Sequence, residues 1–300
     1  MDARRRALLG ALAGLALTRV AHGTEGMHTR AIPSSGEALP VIGLGTWQTF
    51  DVGGDAAARA PLQDVLKALF DGGGRVVDSS PMYGSSEAVV GDLCAGLGLC
   101  EPLFMATKVW TQGRDDGVRQ MQRSIERMRA GRMDLLQVHN LVDVETHTKT
   151  LLEWKALKRV RYIGITHYAS SGHTAVARRL KTRQYDFVQI NYSLDEPDAE
   201  RSLLPLAQEL GVAVLANRPF ASGGMFRRVR GKPLPAWAAE LGVQSWAQYF
   251  LKWIVAHPAV TCAIPATSKP AHMRDNLGAG IGVLPDAAQR QRMAEHYASL

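Results

Sequence analysis

The sequence contains few of the residues that define metal-binding and disulfide-rich proteins. It has three cysteines among 300 residues, Cys94, Cys100 and Cys262, and their spacing matches no zinc or iron–sulfur pattern. We therefore predict no metal site. We expect three buried thiols, because nothing in the sequence requires a disulfide. In an exported protein, a bond between Cys94 and Cys100 is the alternative.

The sequence signatures of the common nucleotide-binding folds are also absent. No G-x-G-x-x-G segment follows a strand candidate, and no G-x-x-x-x-G-K-[ST] segment occurs. The glycines at 72–74 precede a strand candidate and are typical of a helix end followed by a turn. The net charge is +7, but no dense Lys/Arg stripe with interleaved aromatic residues occurs, so we expect no nucleic-acid partner. The positive charge is compatible with an anionic cofactor.

The N-terminus lacks an apolar run of about 20 residues, the length that spans a bilayer. It has instead three consecutive arginines, Arg4–Arg6, then the short apolar run Ala7–Leu17 and small residues at Ala21–Gly23. This order is typical of an export signal, and the arginines favour the twin-arginine route for folded proteins. We predict a cleaved signal at residues 1–23 and a periplasmic protein without membrane contact after cleavage. The alternative is an uncleaved basic arm on a cytoplasmic protein.

From residue 29 onward, short apolar runs alternate with helical patterns, and no linker or low-complexity segment divides the chain. Eight runs predict strands: Val41–Gly45, Arg75–Asp78, Leu103–Thr107, Asp134–His139, Tyr162–Thr166, Phe187–Ile190, Val212–Ala216 and Thr261–Pro265. Eight alternating units favour a closed (β/α)8 TIM barrel, an α/β fold, over an open doubly wound sheet. We predict one barrel domain over residues 29–300, with a hairpin or lid at Thr29–Pro40.

Helical periodicity fills the intervals between the strand candidates. In Gly117–Ala130, for example, apolar residues recur three or four positions apart, which gives the helix one apolar face. The predicted helices are Ala57–Asp71, Ser86–Leu97, Gly117–Ala130, Glu145–Lys158, Gly172–Lys181, Ala199–Leu210, Gln244–His257, Pro270–Gly280 and a last outer helix, Asp286–Ser299. Met225–Glu240 is predicted as the longest irregular stretch.

Four residues that suit carbonyl reduction lie at or just after predicted strand ends. Asp78 and His139 end the second and fourth runs, and Lys108 directly follows the third. Tyr83 lies in the loop after the second run. Because the C-terminal ends of barrel strands converge on one pocket, we expect the four side chains to meet.

Each of these residues supplies a different part of an acid catalyst. A tyrosine hydroxyl with an ordinary pKa near about 10 is a poor proton donor at neutral pH, so we expect Lys108 to lower the pKa of Tyr83. A buried lysine needs a carboxylate, which Asp78 supplies. The imidazole of His139 can donate to a carbonyl oxygen and orient the substrate.

Six segments of the chain, three of which contain these residues, resemble the aldo-keto reductase family in their order and spacing. They are GLGTWQ (Gly43–Gln48), the D-x4-Y segment Asp78–Glu87, ATKVW (Ala106–Trp110), DLLQVHN (Asp134–Asn140), VQINYS (Val188–Ser193) and IPATSKPAHMRDN (Ile264–Asn276). Members of the family are (β/α)8 barrels that reduce aldehydes and ketones with NADPH, less often NADH, using an Asp–Tyr–Lys–His tetrad. The resemblance implies that the four residues above form this tetrad.

The resemblance also implies a nicotinamide cofactor. Gln189 matches the family glutamine that hydrogen-bonds the nicotinamide amide, and Asn276 matches the residue that holds the adenine. NADP is favoured over NAD, because hydroxyls and a lysine precede a helix N-terminus, where a phosphate is stabilised. The predicted cofactor residues are Thr46, Thr166, His167, Gln189, Asn217, Arg218, Pro219, Phe220, Thr267, Ser268, Lys269, His272 and Asn276.

Some cofactor positions depart from the family pattern. Thr166 and His167 stand where the family usually has Ser-Asn. Asn217 stands where many members stack a tyrosine on the nicotinamide ring, a contact of about 0.5–1.5 kcal/mol, so a weaker hold on the ring is expected. The residues at 218–220 replace a Ser-Pro-Leu-like run, and Arg218 is expected to contact the pyrophosphate.

The substrate pocket is predicted to be walled by Trp47, Met82 and Trp110, since aromatic residues line this pocket in the family. Asn140 follows the tetrad histidine where many carbonyl-reducing members have tryptophan, which predicts a more polar pocket. The chain ends soon after its last predicted helix, without the long C-terminal loop of some members. We therefore expect loose specificity.

The leading prediction is an exported NAD(P)H-dependent oxidoreductase that reduces aldehyde and ketone carbonyls. Two alternatives remain open: an alcohol or sugar dehydrogenase working in the oxidative direction, and a nicotinamide-binding sensor or accessory protein with little turnover. The complete tetrad argues against the sensor, whereas the departures at His167 and Asn217 favour it. No heptad or apolar stripe predicts an oligomer, so we expect a monomer.

Overall fold

Eight parallel strands follow one another in chain order in the computed structural model, which describes residues 26–300. The strands are β1 (Thr29–Ala31), β2 (Ala38–Pro40), β3 (Leu44–Gly45), β4 (Val76–Asp78), β5 (Phe104–Val109), β6 (Met133–Val138), β7 (Val160–His167), β8 (Phe187–Asn191), β9 (Ala213–Asn217) and β10 (Cys262–Ala263). Each strand from β3 to β10 pairs in parallel with the next. Bridges from Ile42 to Ala263 and from Gly45 to Ala266 join the first barrel strand to the last. The predicted (β/α)8 TIM barrel is confirmed, and the predicted signal at residues 1–23 lies outside the described residues.

Side chains along the barrel strands alternate between the interior and the surrounding helices. Phe104 and Leu135 belong to the buried cluster that fills the interior. The next residues along the same strands, Met105 and Leu136, belong to the larger cluster under the helices. Because both faces of each strand are buried, the strands appear in the sequence as continuous apolar runs.

Helices follow the strands at the predicted places, and α2 has the predicted bounds. The helices are α1 (Ala56–Asp71), α2 (Ser86–Leu97), α3 (Arg114–Arg127), α4 (Val144–Ala156), α5 (His173–Leu180), α6 (Leu203–Leu210), α7 (Gly224–Arg228), α8 (Trp246–Val255), α9 (Pro270–Gly278) and α10 (Ala287–Ala298). The predicted start of α6 at Ala199 is wrong, because a 3-10 turn at Asp198–Arg201 precedes the helix. The predicted irregular stretch is also wrong in part: α7 covers its start, and a 3-10 helix at Ala236–Leu241 covers its end.

The N-terminal hairpin closes the end of the barrel at which the strands begin. β1 and β2 pair antiparallel, and the residues that flank their connection, Ile32 and Leu39, lie in the barrel-interior cluster. Tyr162, near the start of β7, donates through its hydroxyl to Ser35 Oγ at 2.7 Å. The hairpin therefore covers the N-terminal end of the barrel, opposite the end at which the strands terminate.

Cys94 and Cys100 form a disulfide, with their Cα atoms 5.1 Å apart. α2 ends at Gly98, whose φ of 68° is left-handed, so the chain reverses and returns beside the last turn of the helix. The expectation of three buried thiols is therefore wrong for this pair, because the spacing of the cysteines did not reveal the reversal. Cys262 is a buried free thiol, as expected.

Within residues 26–300, no helix is long and apolar enough to cross a bilayer. The His, Cys, Asp and Glu side chains of this part of the chain form no group of three or more that is able to hold a metal ion.

We expect the disulfide to stabilise the protein modestly, since it closes a short loop. A loop of this length contributes about 2 kcal/mol to the free energy of unfolding in the loop-entropy description. The double variant Cys94→Ala/Cys100→Ala should therefore unfold with a free energy lower by about 2 kcal/mol, measured by chemical denaturation. Dithiothreitol should lower the unfolding midpoint of the wild type only; equal sensitivity of the double variant would contradict this expectation.

Candidate active site

The four predicted catalytic side chains meet at the end of the barrel where the strands terminate. Asp78 is the last residue of β4, Lys108 lies one residue before the end of β5, and His139 directly follows β6. Tyr83 lies in the loop between β4 and α2. Its ring centroid is 4.9 Å from Lys108 Nζ and 5.9 Å from the ring centroid of His139.

Lys108 and Asp78 form a buried ion pair. Lys108 Nζ donates to Asp78 Oδ2 at 2.6 Å and to the carbonyl oxygen of Ser79 at 2.7 Å. Asp78 is 2% exposed and Lys108 is fully buried. Burial lowers the pKa of Lys108, but the negative charge of Asp78 and the interactions with Asp78 and Tyr83 raise it overall above its ordinary value. Lys108 therefore keeps its positive charge at neutral pH.

The hydroxyl of Tyr83 is subject to opposing effects. Burial raises the pKa of Tyr83, the positive charge of Lys108 lowers it, and the negative charge of Asp78 raises it. Lys108 acts in the expected direction, but the net pKa lies above the ordinary value, because burial is the larger effect. Tyr83 is therefore protonated at neutral pH, which is the form that a proton donor requires.

His139 is neutral and is held by Ser80. Its Nδ1 lies 3.0 Å from Ser80 Oγ, which also accepts from the N–H of Met82 at 3.4 Å. Burial and the positive charges of Lys108 and His167 lower the pKa of His139 to about 2. A neutral ring that accepts the Ser80 proton at Nδ1 carries its own proton on Nε2, which can donate to a substrate oxygen. Ser80 was not predicted; its only sequence signal is its place two residues after a tetrad residue.

Gln189 and Asn217 connect the tetrad to the predicted nicotinamide side. Gln189 Nε2 donates to Asp78 Oδ1 at 2.8 Å. Asn217 Nδ2 lies 3.4 Å from Gln189 Oε1 and 3.4 Å from the carbonyl oxygen of His167. Asn217 Oδ1 is buried without a hydrogen-bond partner. A buried acceptor of this kind suits a ligand amide that donates to it, so these residues fit a nicotinamide carboxamide.

Thr166 and His167 end β7 beside these amides. Thr166 Oγ1 accepts from the N–H of Asn140 at 3.4 Å, and Asn140 Oδ1 is a second buried acceptor without a partner. His167 Nδ1 lies 3.0 Å from the carbonyl oxygen of Ala169, and its ring stacks on Tyr168 with centroids 5.7 Å apart. The His167 side chain is therefore engaged with its own loop, whereas the Thr166 hydroxyl contacts the backbone of Asn140, a predicted pocket residue.

Arg218 is paired with an acid that the sequence pattern does not predict. Its Nη2 lies 3.2 Å from Glu196 Oε1, and Glu196 Oε2 accepts from Asn191 Nδ2 at 2.7 Å. Arg218 Nε is buried without a partner. The guanidinium thus keeps a donor for an anion, and contact with a pyrophosphate stays a prediction. Glu196 has no signal in the sequence, because it lies in an irregular segment after β8.

A cavity of about 390 Å³ is lined by residues of α8, α9 and the segments before them. It includes four predicted cofactor residues and two further aromatic rings: Phe220, Thr267, His272, Asn276, Phe226 and Trp246. The apolar rings suit a flat base, and the buried amide of Asn276 suits its polar edge. Ser268 and Lys269 are exposed at the start of α9, where the N–H of Lys269 donates to Thr267 Oγ1 at 3.1 Å.

Two further predicted cofactor residues, Thr46 and Pro219, are also buried in the protein. The Thr46 hydroxyl lies 3.0 Å from both the carbonyl oxygen of Asp78 and Ser79 Oγ, so it supports the end of β4. Pro219 is buried after β9. A part for either residue in cofactor binding stays a prediction.

The predicted pocket walls are exposed beside the tetrad. Trp47 and Trp110 are each 43% exposed, and Met82 is 38% exposed. The ring centroid of Trp110 lies 6.5 Å from that of His139. Because large side chains in a core are buried, this exposure favours pocket walls over core packing for the three residues.

The comparison with known protein families agrees with this geometry. A sequence model of the Aldo/keto reductase family matches residues 41–297. The chain belongs to this family. The match spans the barrel strands and includes all four tetrad residues.

Curated aldo/keto reductase relatives resemble the chain over most of its length. A methylglyoxal reductase of Escherichia coli (strain K12) is 28% identical over 260 residues, which cover 83% of this chain and 89% of the relative. An NADP-dependent D-sorbitol-6-phosphate dehydrogenase of Malus domestica is 24% identical over 278 residues, which cover 81% of this chain and 86% of the relative.

Solved structures of the family have the same fold. An aldo/keto reductase of Klebsiella pneumoniae in complex with NADP and acetate matches with a TM-score of 0.74 and 26% identity, covering 87% of this chain and 93% of that one. A Klebsiella pneumoniae aldo-keto reductase in complex with NADPH matches with a TM-score of 0.74 and 25% identity, covering 92% and 96%.

We expect the ion pair to make the stability of the protein depend on both partners. Asp78→Asn leaves the buried Lys108 charge uncompensated, so the free energy of unfolding should fall by about 3–5 kcal/mol. Adding Lys108→Met should recover much of this loss, as measured by chemical denaturation of the single and double variants.

The exposed pair of Lys67 and Asp71 provides the control, because both side chains are more than half exposed. Asp71→Asn should leave the stability nearly unchanged. An Asp78→Asn/Lys108→Met variant whose loss of unfolding free energy equals the sum of the losses in the two single variants would contradict the expectation.

Proposed function

We propose that this protein reduces the carbonyl group of aldehydes and ketones to an alcohol with NADPH. The observation that carries the proposal is the buried ion pair of Lys108 and Asp78 beside a protonated tyrosine and a neutral histidine. The solved relatives bound to NADP and NADPH support the choice of cofactor. The exposed anion-binding segment at the start of α9 also favours NADP over NAD.

NADPH, when bound, supplies a hydride to the carbonyl carbon. Gln189 and Asn217 would hold the nicotinamide amide, the latter through its unpartnered Oδ1. Arg218 would bind the pyrophosphate through Nε. Phe220 and Asn276 line the cavity that would take the adenosine. The Asn217 position offers no aromatic ring, so the ring of the nicotinamide depends on the amides for its orientation.

The residues of the tetrad handle the proton. Tyr83 donates its hydroxyl proton to the carbonyl oxygen as that oxygen gains negative charge. Lys108 stabilises the phenolate that remains, and Asp78 keeps Lys108 charged and in place. His139 Nε2 hydrogen-bonds the same carbonyl oxygen and orients it.

The substrate site is open and partly polar. Trp47 and Trp110 offer exposed apolar faces, while the unpartnered Oδ1 of Asn140 offers an acceptor. This combination suits small aldehydes and ketones with a neighbouring polar group. The relative named as a methylglyoxal reductase supports the inclusion of 2-oxoaldehydes among them.

Oxidation of an alcohol or a sugar is a second candidate function. It uses the same groups in the reverse direction, with Tyr83 as the base. The relative of Malus domestica, named as an NADP-dependent dehydrogenase of a sugar alcohol phosphate, supports this direction.

We also infer that the protein is exported and monomeric. The disulfide of Cys94 and Cys100 supports export, because such bonds persist in oxidising compartments. The arginines of Arg4–Arg6 and the apolar run after them support the twin-arginine route to the periplasm. Size-exclusion chromatography of the purified protein tests the monomer.

We expect Tyr83→Phe to abolish most of the activity while preserving cofactor binding. A general acid contributes about 100-fold or more to the rate, so kcat with a panel of aldehydes, ketones and methylglyoxal should fall at least about 100-fold. The dissociation constant for NADPH, measured by tryptophan fluorescence, should change less than about twofold. Tyr185→Phe is the matched control, since it removes a hydroxyl that bonds Thr148.

A wild type that binds NADPH but reduces nothing on the panel would contradict the proposal. So would a Tyr83→Phe variant with wild-type activity.

We expect the protein to be recovered from the periplasm without residues 1–23 and with its disulfide formed. N-terminal sequencing of the periplasmic fraction measures the removal of residues 1–23, and thiol alkylation measures the formation of the disulfide. Replacing Arg4–Arg6 with alanine should retain the protein in the cytoplasm in its full-length, reduced form. Full-length protein in the cytoplasm of wild-type cells would contradict export.

A further inference from the structure

Asp78 has hydrogen bonds that the proposed proton transfer does not use. Its Oδ2 accepts from Lys108, whereas its Oδ1 accepts from two side-chain amides, Gln189 Nε2 at 2.8 Å and Gln137 Nε2 at 3.2 Å. Gln137 Oε1 lies 3.5 Å from Gln189 Nε2. Both polar ends of the Gln137 side chain are therefore directed at Asp78 and its neighbour.

The barrel leaves room for the Gln137 side chain at this level. Gln137 lies in β6, opposite Lys108 of β5 and Gly164 of β7. A Cβ atom at Gly164 would lie 3.1 Å from Gln137 Cγ and 2.8 Å from the carbonyl oxygen of Phe187. A Cβ atom on β7 would thus crowd the Gln137 side chain and clash with the Phe187 carbonyl oxygen, so glycine suits this position.

Packing alone does not account for the polar side chain at position 137. Gln137 is fully buried, and a buried amide is costly unless its donor and acceptor are bonded. Leu135 is two residues earlier on the same face and belongs to the apolar filling of the barrel. An apolar residue would therefore satisfy packing at position 137, whereas only a donor gives Asp78 Oδ1 a hydrogen bond in addition to the one from Gln189.

We propose that Gln137 is a positioning residue for the proton donor and acts through Asp78. By holding Oδ1, it keeps Oδ2 directed at Lys108 Nζ, which lies 4.9 Å from the centroid of the Tyr83 ring. Gln189 shares the same oxygen, but in the proposed function its amide also serves the nicotinamide. In the proposed function Gln137 has no part in binding the cofactor. The inference rests on the proposed function.

The test compares Gln137→Met with the matched variant Leu135→Met in the full-length protein. Methionine keeps the length of glutamine but donates no hydrogen bond. Where a hydrogen bond to a charged group stabilises the transition state in full, its loss slows the reaction about tenfold. We therefore expect kcat to fall about tenfold in Gln137→Met, while the dissociation constant for NADPH changes less than about twofold. Leu135→Met should keep the wild-type kcat.

The pH profile supplies a readout that a purely structural role does not move. The titratable groups around Tyr83 are Asp78 on β4, Lys108 on β5 and His139 after β6. Gln137→Met substitutes none of these residues. A less well-held Lys108 lowers the pKa of Tyr83 less, so Tyr83 stays protonated to higher pH. The alkaline limb of kcat should therefore move to higher pH in Gln137→Met only.

Gln137→Glu provides an independent comparison. A protonated glutamic acid donates to Asp78 as glutamine does, whereas an ionised one repels it. The kcat of this variant relative to wild type should therefore be highest at the acid end of the profile and fall as the pH rises. If Gln137→Met does not fold, the pH dependence of kcat in Gln137→Glu tests the inference by itself.

An unchanged kcat and pH profile in folded Gln137→Met would overturn the inference, as would a relative kcat of Gln137→Glu that does not depend on pH. A loss of kcat matched by an equal loss of NADPH affinity would overturn it too. Failure of the wild type to reduce any carbonyl would overturn the proposed function and this inference together. The wild-type assay therefore tests the proposed function, and the comparison of variants tests the part of Gln137.

Discussion

The cost of burying one lysine charge governs the arrangement of this barrel end. Lys108 is fully enclosed, so it is tolerable only where a carboxylate and further acceptors surround it. Asp78 and the Ser79 carbonyl meet that need, and amides then occupy the remaining carboxylate oxygen. These groups come from several strands and the loop after β4. The ion pair of Asp78 on β4 and Lys108 on β5 therefore makes the protonation of Tyr83 depend on how these two strands are arranged.

The polar atoms of the site fall into two groups. Those around Asp78 are bonded within the protein, whereas Asn140 Oδ1, Asn217 Oδ1 and Arg218 Nε are buried without partners. Buried polar groups in folded proteins are ordinarily satisfied. The inner group is thus satisfied within the protein, whereas the outer group keeps unmet hydrogen-bonding capacity.

The barrel and the tetrad could be predicted from the sequence because both depend on local patterns. Buried parallel strands are continuous apolar runs, and the catalytic residues directly follow them or lie in the next loop. The contacts of Ser80, Gln137 and Glu196 could not be predicted, since they depend on side-chain directions and on irregular segments. Gln137 had one signal, a single amide within an apolar strand. The net pKa of Tyr83 required the extent of burial, which residue types alone do not define.

The bond between Cys94 and Cys100 spans only six positions at the end of one helix. It fixes no contact between distant parts of the chain, so strand pairing and closure of the barrel do not wait for it. Folding and oxidation are therefore separable events. The topology of the chain does not depend on the crosslink. The oxidation state of this pair therefore reports the redox conditions around the folded protein, not whether the chain has folded.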